Sequence, residues 1–167
     1  ITKTPVSSPR ASKTTETKTS ESTWTSEKST HSETTEHVET IELSFPYIYE
    51  KPEGWNGKCI IFVHGMGRDK SVWRRDMDEF KKHGYCVFAF DLPYHGERGR
   101  YDPSRFYDVI KQGSEEILLI EKFLRAEGAS EVYLISRSLG SIVSGVALGA
   151  SGIEKAALLL ASANLSY

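Results

Sequence analysis

Four short runs of almost entirely apolar side chains constrain the fold of this chain more than any other feature. They are Cys59-Ile-Ile-Phe-Val63, Tyr85–Phe90, Glu131–Ile135 and Ala156–Ala161. Each has the length of a strand and none alternates cleanly with polar residues, so each reads as a strand covered on both faces. Helical signals lie between them. Ser71 reads as the N-cap of a helix running to about His83, with Gly84 as its terminator. A longer helix is expected from Ser104 to Glu127, broken or kinked near Gly113 and ended by Gly128, and a third from Leu139 to Ala150. Strands alternating with helices require βαβ crossovers, so the expected class is α/β with a doubly wound, mostly parallel sheet. Ahead of these, Ile41–Tyr49 alternates as a strand, with a hairpin-like break at Pro52–Gly57.

The first 40 residues are of another kind. They hold 20 Ser or Thr, and between Ile1 and His37 the only apolar side chains are Ile1, Val6, Ala11 and Trp24. Such a segment cannot bury enough surface to offset the roughly 1–2 kcal/mol per residue of backbone entropy lost on ordering. It is expected to be a disordered tail or linker (1–40) ahead of a partial domain (41–167), either as a solvated segment without a specific partner or as an O-glycosylated stalk. This composition points to an extracytoplasmic or cell-surface setting rather than the cytoplasm. The chain begins at Ile1 and not at Met, which reads as a processing or truncation point. A formal net charge of -2 argues against a nucleic-acid binder that works through bulk charge. No apolar run reaches the roughly 18–20 residues needed to cross a bilayer. Two cysteines, Cys59 and Cys86, are too few for a disulfide scaffold or a structural zinc site.

In an open parallel sheet the ligand site lies at the carboxyl ends of the strands. The first buried strand is followed by His64-Gly-Met-Gly67, the second by Asp91-Leu-Pro-Tyr-His-Gly-Glu-Arg98, and the third by Ser136-Arg-Ser-Leu-Gly140. A strand that turns at once into a helix through Ser-x-Ser-x-Gly fits a nucleophile elbow, with Ser138 lifted clear of the backbone. Small residues are needed two before and two after it. Gly140 meets that requirement, whereas Ser136 stands where Gly is usual and adds a hydroxyl that must fit. The helix opening at Leu139 sets unpaired N–H groups beside the Ser138 oxygen. Gly65 and Gly67 let the first loop turn its own amides toward the same place, so the N–H groups of Met66 and Leu139 are the candidate oxyanion donors. A P-loop ending at Lys70-Ser71 would need Gly at 64 and 69, which hold His64 and Asp69. A dinucleotide fingerprint from Gly65 would need a small residue at position 70, which holds Lys70.

Taken in order, His-Gly-Met-Gly, a helix containing Trp73, Asp-Leu-Pro-x-His-Gly-x-Arg and the Ser138 elbow resemble the α/β-hydrolase superfamily. The Asp91–Arg98 stretch is similar to a loop of small esterases and prolyl-oligopeptidase-like members. The likeness covers about residues 41–165. It implies a serine hydrolase acting on an ester, thioester or peptide-like bond of a small-molecule or peptide substrate, with neither metal nor organic cofactor. It also implies that His64, Asp91 and His95 shape loops, and that the strands carrying Cys59 and Cys86 are neighbours. The two sulfurs are then expected to face each other, as buried reduced thiols or, in an extracytoplasmic setting, as a disulfide. Arg137 either points into the structure, as such a side chain often does in an elbow, or steers an acidic substrate. Asn164-Leu-Ser166 is a glycosylation sequon in a eukaryotic or archaeal secretory setting.

One requirement of the family is unmet. Its members supply an acid and a histidine after the nucleophile. Of the 29 residues after Ser138 none is His or Asp, and the sole acid is Glu154, expected at the far end of the sheet. Ser138 without a base is a poor nucleophile. An all-apolar last strand would also be an unprotected sheet edge. The chain is therefore expected to be the N-terminal portion of a longer hydrolase and inactive alone. The alternative is a non-catalytic binding or scaffold module of the same fold.

Overall fold

In the computed structural model, which describes residues 41–160, the apolar strands divide their side chains between two faces. On β2 (Lys58–Val63), Cys59, Ile61 and Val63 look one way while Ile60 and Phe62 look the other. On β3 (Cys86–Phe90), Phe88 and Phe90 join the first set, and Val87 and Ala89 the second. Each face is covered. One packs against α2 (Phe106–Ala126) and α3 (Leu139–Leu148) through Val109, Ile117, Ile120, Leu124 and Val143. The other packs against α1 (Arg74–Lys82) through Trp73 and Met77. Large side chains such as Phe62, Phe88 and Phe90 are fully buried, each contributing roughly 1.5–3 kcal/mol of apolar transfer.

With β1 (Tyr47–Glu50), β4 (Glu131–Arg137) and β5 (Lys155–Leu159) the sheet has five strands in the order β1-β3-β2-β4-β5. All run parallel except β1, which lies antiparallel to β3. The doubly wound, mostly parallel architecture stands.

Several local expectations change. The break at Pro52–Gly57 makes no hairpin, because β1 pairs with β3 and not with β2, its successor in sequence. Ser71 is not the N-cap. Asp69 is, its carboxylate accepting from the Ser71 N–H at 2.8 Å ahead of a 3-10 turn over Lys70–Trp73, and α1 begins only at Arg74. Gly113 does not break α2, which runs unbroken. A Cβ there would come within 2.9 Å of Val143 Cγ1 and 3.0 Å of Leu92 Cδ2, so the glycine serves close helix packing. Cys59 and Cys86 face each other in register, 4.4 Å apart at Cα, and are joined as a disulfide instead of remaining reduced. β5 is exposed along its whole length and is a sheet edge among the described residues. The Ser/Thr-rich segment and the Asn164 sequon lie outside the described residues. Within them no helix is long and apolar enough to cross a membrane.

Candidate active site

Topology locates a crevice before any side chain is considered. The chain leaving β2 enters α1 on one face of the sheet, and the chain leaving the adjacent β4 enters α3 on the other. Their connections therefore diverge, and a crevice opens between the carboxyl ends of β2 and β4. The loops carrying Gly65 and Ser138 border that crevice.

Ser138 stands between β4 and α3 with φ 53° and ψ -122°. A non-glycine residue pays for that left-handed conformation, and the surrounding chain holds it there. One tie is its own N–H, which donates to Leu159 O of the neighbouring strand at 2.9 Å; another is its carbonyl, which accepts from Ser141 N at 2.8 Å. The Ser138 hydroxyl makes no hydrogen bond among the described residues. The small residues around it have measurable tasks. A Cβ on Gly140 would overlap His64 O and stand 2.7 Å from Val63 O, so the first turn of α3 rests directly on the end of β2. A Cβ on Gly65 would lie 3.2 Å from both Ser138 Cβ and Arg137 O, so the first loop lies against the elbow. Ser136, fully buried, donates from its hydroxyl to Ser141 Oγ at 3.2 Å, which answers how a side chain is accommodated where glycine is usual.

Met66 is half-exposed on the first loop and Leu139 is buried at the start of α3. The backbone N–H of neither has an acceptor among the described residues. Between the two loops lies a cleft of about 280 Å³, bordered by Gly65, Met66, Arg68, Trp73, Arg137 and Ser138. Arg137 is exposed rather than pointing inward, and its guanidinium lies 5.0 Å above the Trp73 ring.

The histidines and Asp91 are tied to the scaffold. His64 Nε2 accepts from Leu92 N–H at 3.0 Å, which leaves the proton on Nδ1, donating to Gly65 O at 2.8 Å. Burial lowers its pKa, outweighing the opposing pull of that bond, so the ring is held neutral with both nitrogens engaged. His95 Nδ1 is 2.8 Å from Pro93 O, its ring lies 5.2 Å from that of His64 and 5.0 Å from that of Tyr101, and its Nε2 is buried without a partner among the described residues. Asp91 is fully buried. Its Oδ1 accepts from Lys70 N–H and its Oδ2 from Lys70 Nζ, both at 2.8 Å, and Oδ2 also from Glu97 N–H at 3.0 Å. Burial pulls the Lys70 pKa down, but its bonds to Asp91 and Glu97 outweigh that and leave it raised. Arg98 closes the same loop, donating to Asp91 O at 2.9 Å and pairing in bidentate fashion with Glu116 of α2. Glu154 sits at the opposite end of the sheet, accepting from Val132 N–H at the start of β4.

The structure thus brings Ser138, Ser136, Gly140, Leu139, His64, Gly65 and Met66 together at one crevice. Gly67 turns the first loop at its outer side, and Asp91 and His95 lie in the neighbouring loop. The sequence did not assign Lys70, Arg68, Trp73 or Ser141 to the site. Lys70 had a signal, because a buried carboxylate needs a counter-charge and Lys70 is the base at the end of the glycine loop. A second, more apolar depression of about 200 Å³ lies on the α1 face between Tyr85, Tyr133, Ile135 and Ala157, and it brings no nucleophile or acid–base pair together.

The sequence profile of the Alpha/beta hydrolase family matches residues 60–166. A search of curated proteins finds no match. Among solved structures the chain is similar to a cold-adapted esterase from an Arctic intertidal metagenomic library, at 22% identity and TM-score 0.60, over 68% of this chain and 53% of that one. It is similar to a highly thermostable carboxyl esterase from Bacillus coagulans at 16% identity and TM-score 0.55, over 67% and 38%. It is also similar to epoxide hydrolase A from Mycobacterium thermoresistibile at 19% identity and TM-score 0.54, over 67% and 34%. The chain spans about half or less of the length of each. At these identities the likeness is one of fold. The profile match, running from the first buried strand across the elbow to residue 166, is what decides the family: this chain belongs to the alpha/beta hydrolase family.

Proposed function

We propose that the protein is a serine hydrolase whose nucleophile is Ser138. The observation that carries this reading is the left-handed backbone of Ser138 at a strand-to-helix turn, over a cleft and against the Gly65 loop. In the proposed reaction the Ser138 oxygen adds to the carbonyl carbon of an ester, thioester or peptide-like bond. The hydroxyl proton passes to a base, and the carbonyl oxygen becomes an oxyanion facing the N–H groups of Met66 and Leu139. The base then protonates the leaving group, and water releases the acyl group from Ser138. No described histidine serves as that base. His64 is engaged at both nitrogens, and His95 makes no hydrogen bond to Ser138. The acid and histidine are therefore proposed to come from outside the described residues, and the 167-residue chain is proposed to be inactive by itself.

The test is turnover of a p-nitrophenyl ester by the intact protein and its Ser138→Ala variant. Loss of turnover by about 10³-fold or more, with the unfolding midpoint retained, is the expected result. Unchanged turnover sinks the nucleophile assignment. Absence of turnover in the wild type across short and medium acyl chains would favour the other reading, a non-catalytic module of this fold.

A further inference from the structure

Among the described residues the cleft beside Ser138 is cationic. Arg68 and Arg137 both border it, and none of its described lining residues is acidic. Among the described residues neither guanidinium makes an ion pair or a side-chain hydrogen bond; Arg74, Arg98, Arg105 and Arg125 are paired with carboxylates, and Arg75 and Arg100, also unpaired, do not border the cleft. The carboxylate of Asp69, next to Arg68 in sequence, is engaged in capping the 3-10 turn, accepting from the Ser71 N–H at 2.8 Å. Arg137 is also oriented. Its guanidinium lies 5.0 Å over the Trp73 ring, and Trp73 is itself buried. A guanidinium carries five N–H donors, and those of Arg137 have no acceptor among the described residues, so they can take a carboxylate in bidentate fashion. A cleft designed only for neutral acyl chains would be lined mainly by apolar side chains with few charges. This one sets two unpaired cations and an aromatic platform next to the candidate nucleophile.

We propose that the substrate carries a carboxylate that Arg137, supported by Arg68, holds while Ser138 attacks an ester bond a few atoms away. The favoured class is the monoester of a dicarboxylic acid, or a similar ester with a free carboxylate on its acyl part. This rests on Ser138 being the nucleophile of a hydrolase, and the test separates the two ideas.

Hydrolysis of monoethyl adipate and of ethyl hexanoate by the intact protein is followed by proton release. The two substrates match in chain length and differ in the terminal carboxylate. The expected kcat/KM ratio favours the monoester at least tenfold, shrinks as NaCl rises from 0.05 to 0.5 M, and falls at least tenfold in the Arg68→Gln/Arg137→Gln variant. Arg137→Lys on its own is expected to keep part of the preference, because charge is retained while the fork is lost. A wild-type ratio at or below one, or an unchanged ratio in the double variant, overturns the proposal. If neither ester turns over, calorimetry decides with the amide analogues N-ethyladipamic acid and N-ethylhexanamide. Tighter binding of the acid by tenfold or more, lost in the double variant, keeps the anion site and discards the hydrolase reading. Equal or absent binding overturns the anion site as well.

Discussion

The hydroxyl of Ser136 donates to that of Ser141 at 3.2 Å, joining the carboxyl end of β4 to the first turn of α3. Both residues are buried, Ser136 fully, so neither hydroxyl can turn to water instead. A position that glycine usually holds for want of room is here filled by a side chain whose polar atom has a partner.

Removing Ser141 Oγ alone should therefore cost more than its size suggests. Ser141→Ala leaves the Ser136 hydroxyl buried and unpaired, at about 1–3 kcal/mol. The Ser136→Ala/Ser141→Ala double variant should cost less than the sum of the two single changes. Urea unfolding of the four proteins measures the coupling, and strict additivity would show that the bond contributes nothing.

Two glycines of α3 should respond to alanine with opposite signs. At Gly140 the new Cβ meets the carbonyl oxygens of His64 and Val63, which are fixed by the sheet, so Gly140→Ala should cost about 3 kcal/mol or prevent folding. At Gly145 nothing lies within 4 Å, and Gly145→Ala should stabilise by about 0.5–1 kcal/mol through helix propensity alone. Thermal melts of both variants read the sign directly.

His64 makes stability depend on pH in a definite direction. Its folded pKa lies below the ordinary 6.5 because burial disfavours the imidazolium. Above 6.5 it is neutral in both states and its contribution is fully present. As pH falls below 6.5 the unfolded chain takes up a proton that the native ring refuses, so stability declines down to the lowered native pKa. The slope from this one group is at most about 1.4 kcal/mol per pH unit. Denaturant midpoints between pH 8 and 5, compared with those of His64→Gln, test this: the variant should be less stable at pH 8 and flatter below pH 6.5.

Asp91 and Lys70 should behave as one unit. Asp91→Asn leaves the largely buried ammonium of Lys70 with only the exposed carboxylate of Glu97 as counter-charge, and Lys70→Met leaves a fully buried carboxylate with backbone donors only. Each single change should cost about 3–5 kcal/mol. The double variant should recover a substantial part of that loss, measured by urea unfolding. Full additivity would mean that the two side chains do not depend on each other.

Local pattern was enough to determine the class of fold and to bring the candidate site residues to one end of the sheet. Apolar runs such as Cys59–Val63 can only be covered on both faces, which forces crossovers, and crossovers put the loops after β2 and β4 at one end. Ser-x-Ser-x-Gly marks its turn because only small neighbours fit there, a constraint written in adjacent residues. Contacts between distant segments were not legible in the same way. β1 pairs directly with β3 and not with β2, its successor in sequence, and Asp91 meets Lys70 from another loop. The approach of Arg137 to the Trp73 ring depends on where the loop after β2 lies relative to the elbow. Sequence periodicity fixes which face a side chain takes along its own element. Which partner it finds there depends on the order in which the strands assemble, and that order is set by the packing of the whole sheet against its helices.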